Sequence, residues 1–257
     1  ASRWRRISRT SAAIAASAAT SAAAIAALVL LMRRHREALP LLAILALPFR
    51  LPISADGRTV NLLIPLYLVV AAGTLVHLLP RLLARDRVAA GDQPSGWGSS
   101  LRMHWLLFGA VALYALQTIY SADQAKGAEN VAFFYLPFAL LFLLLRDVTW
   151  TRELLLRCLG VAVALAVVFA GIGFVEYYRK ALFLNPKVVA ANQYDNYFRV
   201  NSLFFDPNIY GRFLALVMIA VTTVALWSSR RRDVLIAAAV LAWLLAGLIT
   251  SFSQSSI

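Results

Sequence analysis

Apolar residues fall in long runs along the chain, and polar residues collect in the gaps between them. The runs at 12–32, 59–79, 103–120, 131–145, 153–175, 207–227 and 234–250 approach the roughly 20 residues an α-helix needs to cross a bilayer. An eighth run, 38–53, is shorter, and its Pro40, Pro48 and Pro52 remove backbone donors, which predicts a kinked or broken span. We find no strand-like alternation, which argues against an outer-membrane barrel. The pattern predicts an all-α, polytopic transmembrane helix bundle of about eight spans, forming a single integral-membrane domain over 1–257. The gaps predict a soluble loop at 80–102, a short polar loop "SADQAKGAEN" at 121–130, and a long loop at about 176–206.

Composition supports this reading. The chain is 61% hydrophobic and 14% charged, which leaves too little polar surface to cover a water-soluble globule of 257 residues. Its net charge of +13 could suggest nucleic acid, but the basic residues sit in short clusters between apolar runs, such as "RRHR" (33–36) and "RRR" (230–232). That distribution is what the positive-inside rule produces, so no nucleic-acid partner is expected. Cys158 is the only cysteine and lies in an apolar run, so neither a disulfide framework nor a Cys/His metal cluster is expected. The chain starts at Ala1 and stops just after an apolar run, so we expect it to be incomplete at both ends. The first run continues to Met32 without a cleavage window, and we read it as a retained segment.

Orientation follows from the short loops. One side carries Arg33, Arg34, Arg36, Arg81, Arg85, Arg87, Arg102, Arg146, Arg152, Arg157 and Arg230 to Arg232; the other carries Arg50, Arg58 and Lys126. The first side is therefore expected to be cytoplasmic and the 176–206 loop extracytoplasmic. Arg3, Arg5, Arg6 and Arg9 disagree if 12–32 crosses once. The span centres are almost free of ionisable groups, with Arg157, Glu176, His77 and His104 near expected ends. Ion-coupled transport therefore loses weight against chemistry at the outer surface.

The outer loop carries Glu176, Arg179, Lys180, Lys187, Asp195, Arg199 and Asp206, with tyrosines that include Tyr177, Tyr178, Tyr194, Tyr197 and Tyr210. The tyrosines read first as an interfacial belt, and Arg179 and Lys180 as anchors. Arg199, between Phe198 and Val200, has two readings: a guanidinium fork for phosphate oxygens, or a salt bridge to Asp195 or Asp206. Asp206 is placed as a helix N-cap and Pro207 as the first helical residue. Such a helix would present free N–H groups to an anion at the outer boundary. Asn208 and Arg212 share one face of its opening turns. No spacing identifies a nucleophile, base, cofactor or metal site, so the catalytic residues are unknown.

At "RVNSLFFDPNIYGRFLAL" (199–216) the chain resembles the O-antigen ligase / O-antigen polymerase family of bacterial membrane proteins. The shared features are an Arg, a short gap, a "DPN" turn and an apolar helix with an early aromatic and small residue. "ITSFSQSS" (249–256) is similar to the family's next landmark, with Gln254 where an Arg is expected. Weaker similarity extends through "LALPFRLPI" and "NLLIPLYLVVAAG". The resemblance implies a glycosyltransferase-type enzyme of the inner membrane. It would transfer an undecaprenyl-diphosphate-linked glycan to an acceptor sugar or lipid at the extracytoplasmic face, without a cofactor. It implies Arg199 as a diphosphate ligand supported by Asn208, and a further outer loop with an important His that no residue here matches; Arg212 joins the candidate diphosphate site through its helix spacing from Asn208 alone. The alternative is a non-catalytic transporter or binder of lipid-linked glycans.

Overall fold

The computed structural model describes residues 19–35, 37–55, 58–80, 98–146, 148–183, 198–204 and 206–251, with side chains described outside 51–61 and 98–104. In chain order the elements are α1 (19–34), α2 (Ala38–Ala46), β1 (Leu51–Ala55), β2 (Arg58–Leu62) and α3 (Ile64–Gly73, continuing as a π-helical turn over Thr74–Leu78). Then follow α4 (Gly98–Ile119), α5 (Gln124–Arg146, with a π-helical turn at Val131–Tyr135), α6 (Arg152–Arg179), α7 (Pro207–Leu226) and α8 (Arg231–Ser251). The fold is helical apart from one hairpin among the described residues, and α5 to α8 are long and apolar enough to cross a membrane. Ile64–Leu78 and Trp105–Ile119 are shorter apolar helices.

Several expected boundaries are corrected. The 38–53 run does not form one kinked span: α2 is only nine residues long, and β1 pairs antiparallel with β2 in the register Leu51↔Leu62 to Ala55↔Arg58. The residues between the strands are Asp56 and Gly57, a dipeptide that favours a two-residue hairpin turn. β2 likewise takes the start of the 59–79 run. The polar 121–130 stretch is not a loop throughout, because Asp123 N-caps a helix from Gln124 by accepting the Lys126 N–H at 2.9 Å. Lys126 and Glu129 pair one turn apart at 3.0 Å on that new turn. The helix of the 153–175 run continues to Arg179, so the segment that leads to α7 begins at Lys180 rather than at 176. Residues 12–18 of the first run, most of the 80–102 loop, and 184–197 lie outside the described residues.

The chain divides into two compact units, one of residues 1–43 and 64–149 and the other of 44–63 and 150–257. In the first, Gly73 lets α3 pack against Leu144 and Leu39, whose methyls would lie 2.9 and 3.0 Å from an added Cβ. Tyr67 donates to the Phe133 carbonyl in the π-helical turn of α5 at 2.6 Å, and Tyr114 of α4 stacks on Tyr135 with ring centroids 4.3 Å apart.

The second unit holds the site. Its helix α6, 28 residues and so about 42 Å long, starts at a Thr151 cap that accepts the Leu154 N–H at 3.2 Å. Glu153 and Arg157 pair along its first turns. It ends where Lys180 turns left-handed (φ 51°) and donates its N–H to the Glu176 carbonyl. Leu154, Cys158, Ala166, Phe169, Ala170, Gly173 and Glu176 are its buried residues, a seam of mostly small side chains that lets α7 and α8 approach closely. Phe169 is the centre of the core, with Phe49, Phe204 and Phe213 at centroid distances of 6.0, 5.3 and 5.9 Å. Trp243 of α8 meets Phe174 edge-on at 4.8 Å and donates to the Val167 carbonyl at 3.1 Å, fixing α8 against α6.

Candidate anion site at the end of the second unit

The C-terminal end of α6, the N-terminal end of α7 and the C-terminal end of α8 meet at one end of the second unit, and residues 198–204 run across them. Four contacts pin this short segment. The Val200 N–H donates to the Thr250 carbonyl at 3.3 Å. The Ser202 N–H donates to Glu176 Oε2 at 2.7 Å, and Ser202 Oγ donates to the Phe169 carbonyl at 2.8 Å. The Phe198 ring lies 5.3 Å from Lys180 Nζ, which also caps the Tyr177 ring at 3.7 Å. Ser202 takes φ 51°, a left-handed turn that accompanies both of its bonds.

Arg199 projects from this segment and is half-buried. Its Nη2 donates to Asn208 Oδ1 at 3.3 Å. Asn208 is fixed in turn, since its own N–H donates to Asp206 Oδ1 at 2.7 Å. Asp206 is thus the N-cap of α7 and Pro207 occupies its first turn, as their residue types predict. The chain of support runs from the cap through Asn208 to the guanidinium. The expectation of free N–H groups at this helix start is corrected. Pro207 has none, Asn208 spends its own on the cap, and Ile209 and Tyr210 both donate to the Asp206 carbonyl at 3.1 Å. Pull on an anion here can come from the guanidinium.

The structure brings Arg199 and Asn208 together, and Arg212 stands exposed one turn further along α7. Arg179 and Lys180 are exposed at the same end, as are Tyr177 and Tyr178, the latter at 89%. Tyr210 is not part of an interfacial belt. It is fully buried, with its hydroxyl between the Gly173 and Gly247 backbones and with no hydrogen-bond partner among the described residues. Lys187, Tyr194, Asp195, Tyr197 and Gln254 lie outside the described residues.

Two buried groups escaped the sequence reading. Glu176, which we placed near a span end, is fully buried, and both of its oxygens accept backbone N–H groups: Oε1 from Phe183 at 3.1 Å and Oε2 from Ser202. Its spacing from Phe169 and Gly173 is the available signal, because the three share a helix face. Asn201 is also fully buried, with neither side-chain amide atom paired among the described residues.

The arrangement suits electrostatic work. The fork of Arg199 has the geometry to hold the oxygens of a phosphate or carboxylate. Neither buried ionisable group at this end of the unit is placed as a base, since Glu176 has both oxygens engaged and the Tyr210 phenol is enclosed. Among the described residues no group of three or more His, Cys, Asp or Glu could hold a metal ion. Comparison with known protein families, with curated proteins and with solved structures gives no match to this chain.

Proposed function

We propose that the chain belongs to a membrane glycan ligase or polymerase similar to the O-antigen ligase / polymerase family. It would transfer an undecaprenyl-diphosphate-linked glycan to an acceptor sugar or lipid in the building of cell-surface polysaccharide such as lipopolysaccharide. The observation that carries this reading is the oriented guanidinium of Arg199, bound to Asn208 above the capped start of α7. In this reading Arg199 grips the diphosphate, Asn208 orients it, and Arg212 adds positive charge along the approach. The protein sits in the bacterial inner membrane as a multi-pass chain with the segment after Arg179 outside. The crossings beyond the four long helices, up to about eight in all, belong to the same proposal. The loop arginines counted above support that orientation.

The test is Arg199→Ala, assayed for transfer from a lipid-diphosphate donor. Loss of one charge-stabilising donor costs roughly 100-fold in rate, and transfer at the wild-type rate would refute the role. The alternative, a transporter or binder of lipid-linked glycans, draws on the burial of Glu176 within a helix long enough to span. The engagement of both carboxylate oxygens by backbone favours a structural task for that residue. Donor binding without turnover by the full chain would select this alternative.

A further inference from the structure

Glu176 is the only charged side chain among the described residues that is fully buried. Burying a carboxylate is costly unless donors replace its water. Here the donors are two backbone N–H groups from opposite ends of the outer segment. Phe183 leads out from α6 and gives its N–H to Oε1 at 3.1 Å; Ser202 leads back in and gives its N–H to Oε2 at 2.7 Å. One side chain therefore clasps both ends of the excursion. Arg199 lies within three residues of the Ser202 end, and Val200 next to it is tied to the Thr250 carbonyl. The backbone that carries the guanidinium is thus anchored at two points, Val200 and Ser202.

We propose that Glu176 is a positioning residue for the anion site, holding the base of the outer segment so that Arg199 stays in register with Asn208. This deepens the reading of Arg199 as a diphosphate ligand and rests on it. The two bonds need a carboxylate in particular. A glutamine would turn one acceptor into a donor facing an N–H, and an aspartate keeps the charge but is one carbon too short to reach both amides. Positioning matters because a guanidinium displaced by about 1 Å from its oxygen partners can lose most of its hold on the bound diphosphate.

The test uses the full chain in lipid nanodiscs. Hydrogen exchange at the Phe183 and Ser202 amides is slow in the wild type, and Glu176→Gln speeds both about tenfold or more while mid-helix amides of α6 are unchanged. In transfer assays Glu176→Gln raises the donor KM about tenfold with a smaller change in kcat, and adding Glu176→Gln to Arg199→Ala lowers transfer little further. A normal KM in Glu176→Gln beside an impaired Arg199→Ala overturns the positioning role alone. Normal transfer by Arg199→Ala overturns the diphosphate reading itself. Should Glu176→Gln fail to fold, Glu176→Asp carries the same comparison, and rapid wild-type exchange at either amide overturns the proposal outright.

Discussion

The Tyr210 hydroxyl makes a sharp test of how the second unit packs. A Cβ added at Gly173 would lie 3.0 Å from that oxygen, 3.5 Å from the ring carbon bearing it and 3.5 Å from a Val200 methyl. The phenol cannot retreat, because a Cβ at Gly247 on the other side would lie 3.1 Å from the same oxygen. Gly173→Ala therefore meets overpacking of about 1–3 kcal/mol, offset by about 0.8–1 kcal/mol from the better helix propensity of alanine. The single variant should lose up to roughly 2 kcal/mol. Tyr210→Phe removes the obstructing oxygen, and that oxygen is a buried hydroxyl without a partner among the described residues. Tyr210→Phe alone should be neutral or stabilising by about 1 kcal/mol. In its background Gly173→Ala should turn from destabilising to neutral or better. The double-mutant cycle, read by reversible unfolding in mixed micelles, should give a coupling of about 1–2 kcal/mol. Equal effects of Gly173→Ala in both backgrounds would refute the packing argument, and strong destabilisation by Tyr210→Phe would show that the hydroxyl has a partner it needs.

Other outcomes follow from features already described. Asp206→Ala should cost about 1 kcal/mol of stability through the lost cap and, by freeing Asn208, should raise the donor KM; an unchanged KM would separate the cap from the site. Asp123→Ala should fray the start of α5, seen as faster exchange at the Lys126 amide with the second unit untouched. Cysteines at Lys187 and Arg231 should label from opposite faces of intact membrane vesicles, with the buried Cys158 silent; labelling of both from one side would overturn the proposed orientation.

The helix-forming half of the chain was readable because its signals are local. Asp206–Pro207 announces a cap, and the runs from 153, 207 and 234 predict α6, α7 and α8 to within a few residues. The errors share a cause. Polarity at 121–130 reads as a loop although Asp123 opens a helix there, and the apolar character of 38–53 masks the Asp56–Gly57 turn signal beside it. In the site, Arg199 and Asn208 could be paired from their closeness in sequence. Glu176 could not, since its partners are backbone amides up to 26 residues away and no side-chain type records them. The same blindness placed Tyr210 at an interface: only the glycines of two other helices show that its hydroxyl is enclosed.

The bond from Val200 to the Thr250 carbonyl joins the segment bearing Arg199 to the last turn of α8, fifty positions later. During synthesis that acceptor does not exist until α8 has been made and has found its place beside α6. This end of the second unit is thus among its last parts to close. A nascent chain halted before residue 250 carries Arg199, Asn208 and Arg212 and lacks one of the two ties, at Val200 and Ser202, that hold the backbone of Arg199.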